Sequence, residues 1–296
     1  MKFINPSVEI WEQDVTNPDT LIEAMWAHIA RCVRVCYQVN KPKNNETEEE
    51  YVRRVIFRNP EERLANHYSV LEHGAIYLTI PEYKAKDDNR ISHIIGILGE
   101  DPYTKTRYAR DYRDWRFSTN LRVLVEHNIL DALKYAVPFN PKWHTRRVTV
   151  SFITNIGVAR EFNRHRTHSI SEESTRYCNY SKDRFNNELT FIKPTWISKI
   201  PYTENKNPSN ADQFWVDLLL AANTSYTNLI DEGWTPQQAR EILPLATKVQ
   251  TIHTAFVDDW KEFFALRADG VSGPPHPNAE VLAKVLKEEF INRKYI

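Results

Sequence analysis

Apolar residues recur along this chain with two periods, and the changes between them mark its elements. Ile22, Met25, Trp26, Ile29, Val33 and Cys36 follow the three-to-four residue spacing of one helical face. Asn17-Pro18, a cap residue before a proline, predicts where that helix starts. Glu46 to Arg63 is charged and reads as one or two exposed helical segments interrupted at Pro60. Ala75 to Ile80 is a β-rich run ended by Pro81. From Pro81 to Asn120 the chain turns polar and reads as an insertion of mixed character. Between Arg147 and Thr154, Val148, Val150 and Phe152 alternate with Thr149 and Ser151, the period of a strand with one buried face. Val158 to Arg164 returns to helical character.

Ser209 with Asp212 predicts a capped start for a long helix with Trp215, Leu218, Leu219, Ala222, Tyr226 and Leu229 on one face, ended by Gly233. A short helix from Pro236 to about Ile242 leads into a β-branched run, Thr247 to Val257. Asp258 or Asp259 then caps a helix through Trp260, Phe263, Phe264 and Arg267, and Ala279 to Asn292 closes the chain as a helix. Strands and helices mix without a regular βαβ rhythm, which predicts an α+β fold in one domain, 1–296.

Composition narrows the function classes. The 296 residues hold 39 Lys+Arg and 39 Asp+Glu, so the chain lacks the basic excess of a non-specific nucleic-acid binder. No apolar run reaches the length of a membrane span, and Met1 to Pro6 has no signal-peptide core, so a cytoplasmic protein without membrane or nucleic-acid partners is expected. Three cysteines, Cys32, Cys36 and Cys178, are too few for a disulfide framework and poorly spaced for zinc. The seven glycines form neither GxGxxG nor GxxxxGK[ST]. Phosphates on any nucleotide ligand must therefore be held by side chains and helix ends.

The densest polar segment runs from Arg160 to Tyr177 and holds four arginines and two histidines. Guanidinium forks match phosphate and carboxylate oxygens, so the segment suits a ligand with several phosphates. It reads equally as a solvated helix followed by a polar turn. A metal site of His165, His168 and Glu172 is a third reading, opposed by the neighbouring arginines and the missing third histidine, and no metal is expected.

Within that segment, Arg164-His165-Arg166, seven residues and then Ser174 resemble the RHR-x7-S signature of the flavin-dependent thymidylate synthases, the ThyX family. Glu172 and Arg176-Tyr177 extend the match. Arg34-Val35-Cys36-Tyr37, Leu71-Glu72-His73, Ala239-Arg240-Glu241-Ile242-Leu243-Pro244 and Leu266-Arg267-Ala268-Asp269 resemble four further family blocks in the right order. The resemblance implies a ThyX-like fold with a central, mostly antiparallel sheet flanked by helices, and a homotetramer with shared active sites. It implies reductive methylation of dUMP to dTMP, with methylenetetrahydrofolate as carbon donor, NADPH as reductant, FAD as cofactor and no cysteine nucleophile.

Carried over by motif position, His73, Arg164, His165, Arg166 and Glu172 contact FAD, with Glu262 at a position where family members carry a flavin-contacting asparagine. Glu161, Phe162, Asn163 and Arg164, then Glu172, Glu173, Ser174, Thr175 and Arg176, line the nucleotide site. Arg240 and Arg267 face the uracil, Arg267 as the catalytic group favouring ionisation at N3. The chain departs from the family pattern at Glu161 (usually glutamine), Ser171 (asparagine), Thr175 (glycine) and Phe256 (asparagine). These departures leave open a related enzyme acting on another pyrimidine nucleotide such as dCMP, or transferring hydroxymethyl. A non-catalytic flavin- or nucleic-acid-binding module is the alternative from another class.

Overall fold

The computed structural model describes residues 1–39, 45–57 and 67–296. Two short strands, β1 (Lys2–Ile4) and β2 (Ser7–Trp11), precede helix α1 (Leu21–Tyr37) and α2 (Glu48–Ile56). Strand β3 (Ala75–Pro81), α3 (Glu82–Asp87), α4 (Asn89–Glu100), β4 (Lys105–Ala109), β5 (Asp114–Asn120) and α5 (Leu121–Glu126) follow. The second half runs β6 (Arg147–Asn155), α6 (Ile156–Phe162), β7 (Ser169–Glu172), β8 (Thr190–Ile192), α7 (Asn210–Asp231), α8 (Pro236–Ala239), β9 (Lys248–Phe256), α9 (Val257–Arg267) and α10 (Pro277–Asn292). The fold is α+β. Its main sheet is antiparallel in the order β2-β6-β9-β7; β3, β5 and β4 form a second antiparallel sheet, and β1 pairs with β8 in parallel.

Several elements differ from the sequence expectation for local reasons. Asn17 and Pro18 form a turn ahead of α1, in which the Asn17 side chain accepts from Asp19 N at 3.1 Å, and the helix starts only at Leu21. Glu46 to Ile56 is less exposed than its charge suggests, because α2 buries Tyr51, Val52 and Ile56 against α1; Pro60 and Arg63 lie outside the described residues. Leu218 is 62% exposed, since the buried face of α7 runs through Val216, Leu219 and Tyr226. Neither Asp258 nor Asp259 caps α9. The helix continues directly from β9 and both carboxylates lie in its first turn, where they offset the positive end of the helix dipole. The polar region 81–120 folds as α3, α4, β4 and β5, and its Ile94, Leu98 and Phe117 pack in one cluster with Met25 and Ile29 of α1.

The main sheet separates two environments. Val148, Val150 and Phe152 of β6 and Ala255 of β9 pack on Trp260, Phe263 and Phe264 of α9 and on Leu282, Leu286 and Phe290 of α10. On the α1 side, buried polar groups form a continuous chain. His28 Nε2 lies 2.9 Å from Thr149 Oγ1, which lies 2.7 Å from Thr254 Oγ1. Thr254 Oγ1 lies 2.7 Å from His73 Nδ1, and His73 Nε2 lies 2.9 Å from Ser171 Oγ. Burial holds these imidazoles neutral: His28 is pushed down to about 4 with help from Arg31, and His73 to about 3 with help from His28 and Arg147. His168 falls to about 3 through burial and His165.

Gly74, at the entrance to β3, has no room for a side chain: a Cβ there would lie 2.5 Å from Ile29 Cδ1 and 3.0 Å from Met25 Cγ. Gly74→Ala is expected to destabilise the fold by about 1–3 kcal/mol through overpacking, read as a lower urea midpoint; an unchanged midpoint contradicts this packing. The buried histidines set a second expectation. Unfolded, each binds a proton near pH ~6.5, whereas the folded chain resists protonation until about 4 or 3. Between those limits the unfolded state holds more protons, so stability falls as the pH drops from ~6.5 toward 4. Urea midpoints measured across that interval should decline steadily, and a flat profile rules out neutral burial.

Candidate active site

Strand β6 passes directly into α6, whose start is capped by Asn155 Oδ1 accepting from Val158 N at 2.8 Å. Val158 and Phe162 turn inward; Phe162 has no exposed surface and packs on Phe152 and Phe263. Arg160, Glu161 and Asn163 remain on the accessible side. Because β6 and β9 are antiparallel, α6 and α9 leave the sheet from opposite ends and run toward each other over the same face. Two nine-residue strands span roughly 30 Å, against roughly 10 Å for α6 and 16 Å for α9. Their C-terminal ends therefore meet over the sheet.

Arg267 joins those ends. Its Nη1 donates to Glu161 Oε2 at 2.9 Å and its Nη2 to the Glu161 carbonyl at 2.8 Å, satisfying a helix-terminal acceptor. Its Nε donates to His165 Nε2 at 3.2 Å, which requires an unprotonated acceptor there. Burial, reinforced by Arg267, pushes His165 down to about 4. The two other members of the tripeptide behave differently. Arg164 and Arg166 are exposed, and their guanidinium groups make no hydrogen bond or ion pair among the described residues. Glu262 is exposed on α9.

The two acidic residues after β7's serines serve different environments. Glu172 Oε2 accepts from Asn163 Nδ2 at 3.1 Å; burial raises its carboxyl despite that bond. Asn163 Oδ1 is buried without a hydrogen-bond partner among the described residues. Glu173 is buried and accepts from Lys248 Nζ at 2.6 Å, Tyr180 Oη at 3.1 Å and Gln250 N at 3.1 Å. Next, the Ser174 turn docks on α1 through Ser174 N donating to the Cys36 carbonyl at 3.1 Å. Ser174 and Thr175 are half-buried, and Arg176 is exposed with its Nε donating to Gln237 Oε1 of α8 at 2.9 Å. Arg240, exposed, lies one helical turn beyond Gln237.

The expected residues thus form two groups. Arg267, Glu161 and His165 make one, with Arg164 and Arg166 beside it in the chain; Arg176, Gln237 and neighbouring Arg240 make the other. Among the described residues no hydrogen bond joins them. Gln237 was not singled out from sequence, although its position three residues before Arg240 on a short helix was a usable signal. His73 stands apart from both groups: it has no exposed surface, and both ring nitrogens are engaged by Thr254 and Ser171. Phe256 is buried, with the Arg147 guanidinium 5.0 Å from its ring centre.

A groove of about 350 Å³ adjoins the first group and is lined by Arg160, Glu161, Trp196, Trp215 and His276. A larger one, about 530 Å³, lies between Lys193, Pro194 and α10 and contains no residue of either group. Among the described residues no three His, Cys, Asp or Glu side chains are arranged to hold a metal ion, and no helix is long and apolar enough to cross a membrane. Burial raises all three thiols, Cys178 to about 12, so none is activated as a thiolate.

The chain is similar to a UMP/dUMP methylase, PolB from Streptomyces cacaoi, in crystal structures bound with 5-Br UMP and with 5-Br dUMP. For the first the identity is 13% over 99% of this chain and 92% of that one, with a TM-score of 0.44. The second gives 14%, 99%, 93% and 0.44. No curated protein matches the chain. The model of the family described as thymidylate synthase complementing protein, Thy1, matches residues 144–291, half of the chain, including the Arg164-His165-Arg166 turn, Ser174, Arg240 and Arg267. The chain belongs to the thymidylate synthase complementing protein family.

Proposed function

We propose that this protein is a flavin-dependent thymidylate synthase that converts dUMP to dTMP, with methylenetetrahydrofolate as carbon donor, NADPH as reductant and FAD as cofactor. The observation that carries the reading is the Arg164-His165-Arg166 turn within the family match: it presents two exposed guanidiniums, unpaired among the described residues, beside a neutral, anchored imidazole. Two such forks suit the diphosphate of FAD, and the unpartnered Asn163 Oδ1 can accept from a ligand N–H or O–H. The residues fit the cofactor in this part. His73 does not contribute a contact, because its nitrogens are already bonded inside the sheet.

Bound FAD supplies the hydride relay from NADPH. The protein's own groups bind and orient. Arg176 and Ser174 suit the nucleotide phosphate, Glu172 is oriented by Asn163, and Arg240 and Arg267 are directed to the base, Arg267 from the end of α9. Glu262 borders the flavin from the exposed face of that helix. Thr175 contributes a hydroxyl beside the phosphate; Phe162 and Glu173 support the site from the interior. Protonated, buried thiols agree with a reaction that uses no enzyme nucleophile. The division of the arginines into two unjoined groups supports a homotetramer in which different subunits complete each active site.

A second reading, a flavin-dependent methylase or hydroxymethylase acting on dCMP or another pyrimidine nucleotide, is favoured by the carboxylate of Glu161 at Arg267. Incubating the protein with FAD, NADPH, methylenetetrahydrofolate and either dUMP or dCMP, with products identified by mass, separates the two. dTMP from dUMP is expected. A preparation that stays colourless with added FAD excludes both, while flavin colour without turnover leaves a non-catalytic binding module. Replacing both Arg164 and Arg166 with alanine should weaken FAD binding by at least roughly tenfold, since each charge-assisted bond contributes about 1.5–3 kcal/mol. Unchanged FAD affinity in the double variant removes these residues from the cofactor site.

A further inference from the structure

The groove of about 350 Å³ beside α6 combines side chains that the chemistry above leaves unused. We propose that it is a binding site for an aromatic carboxylic acid: a flat ring lies on Trp196, the carboxylate on Arg160 and the remaining oxygens on two buried amides. The arm of a folate, a benzoyl ring joined to glutamate, has this chemistry, and so does a free aromatic acid. The site does not depend on which nucleotide the protein modifies.

Four observations carry it. First, two buried asparagines line the groove in fixed orientations. Asn155 Oδ1 accepts from Val158 N at 2.8 Å, and Asn278 Oδ1, on a residue only 2% exposed, accepts from Thr195 N at 2.9 Å. Each carbonyl is thereby committed to the backbone, and neither Nδ2 makes a hydrogen bond among the described residues. Leaving such a donor unmatched is costly, and a ligand oxygen offsets that cost. Second, the Asn278 bond ties the loop after β8 to the start of α10 and sets the Trp196 ring 5.9 Å from that of His276. Trp196 is 62% exposed, so most of its indole is open to a second ring. Third, Arg160 is exposed and makes no hydrogen bond or ion pair among the described residues. Neighbouring carboxylates are engaged elsewhere, Glu161 by Arg267 at 2.9 Å and Glu172 by Asn163 at 3.1 Å. Fourth, His276 Nδ1 accepts from Asn278 N at 3.2 Å, which makes the other ring nitrogen a donor.

The donors decide the ligand class. Around an apolar floor of Val158, Ile192 and Pro194, the groove presents two amide NH2 groups, an imidazole N–H and one guanidinium. That surplus calls for an oxygen-rich ligand, and the volume falls within the roughly 300–1,000 Å³ of small-molecule sites. One guanidinium fork matches one carboxylate. A phosphate dianion would leave surplus negative charge facing Glu161, so a nucleotide fits poorly. The larger groove beside α10 lacks these features: its Lys193 Nζ donates to the Ser198 carbonyl at 3.2 Å, and Val281, Leu282 and Val285 form its helical wall.

The test titrates p-aminobenzoylglutamate, up to millimolar concentration, against the purified full-length chain and follows the probe's ring protons by NMR. Wild type is expected to bind it. Arg160→Gln should weaken binding at least about tenfold, the scale of one charge-assisted hydrogen bond. Trp196→Ala should weaken it about two- to tenfold, the scale of one aromatic pair. Both side chains are exposed, so both variants should fold. Displacement of the probe by tetrahydrofolate upholds the site with the folate arm as its occupant, and retention of the probe upholds it with a separate aromatic acid. Absence of binding, equal affinity in all three proteins, or competitive displacement by dUMP overturns the proposal. So does a Trp196→Ala chain whose oligomeric state changes in sedimentation while its probe affinity does not, since the groove is then a contact between subunits. The proposed function is decided separately, by turnover of dUMP to dTMP.

Discussion

The antiparallel pairing of β6 with β9, from Arg147 opposite Phe256 to Asn155 opposite Lys248, is the constraint on which the other arrangements depend. A strand sends alternate side chains to opposite faces, so this single register sorts two unlike sets of residues. Val148, Val150, Phe152 and Ala255 reach the aromatic layer of α9 and α10, while Thr149 and Thr254 reach the polar chain under α1. A slip of one residue would place hydroxyls against Trp260 and apolar side chains against His28 and His73. It would also change where α6 and α9 leave the sheet, and Arg267 would no longer meet Glu161.

Much of this was legible in the sequence wherever one element is defined by its own pattern. The alternation from Val148 to Phe152 gave a strand, the spacing from Ile22 to Val33 gave the buried face of α1, and Ser209 marks the start of α7 by accepting from Asp212 N. What failed depended on distant neighbours. Leu218 falls on the helical period of α7, but the surface that α7 packs against is narrower than the stripe. His73 reads as a strand-end ligand until β7 and β9 close around it. The Glu161–Arg267 contact spans 106 residues, and no local spacing could reveal it.

The neighbouring carboxylates Glu172 and Glu173 make the same point about chemistry. A motif places both in one nucleotide site, yet alternation points them to different sides of the chain. Glu173 has a lysine, a tyrosine hydroxyl and a backbone amide around it, and so anchors the turn that leads into Ser174. Glu172 has an amide partner and a raised carboxyl, so it keeps capacity for a ligand. Identical side chains differ here through their surroundings alone.

The long span of the Arg267 contact also sets the order in which the molecule can be completed. α6 and the Arg164-His165-Arg166 turn are local in sequence, but Glu161 and His165 have no Arg267 until β9 has paired with β6 and α9 has folded back. Closing a loop of about a hundred residues is entropically costly and is recovered only when the whole sheet has formed. On a growing polypeptide, which emerges N-terminus first, the group is therefore among the last to assemble. The Arg267 group therefore depends on the β6–β9 pairing that carries α9 back over α6.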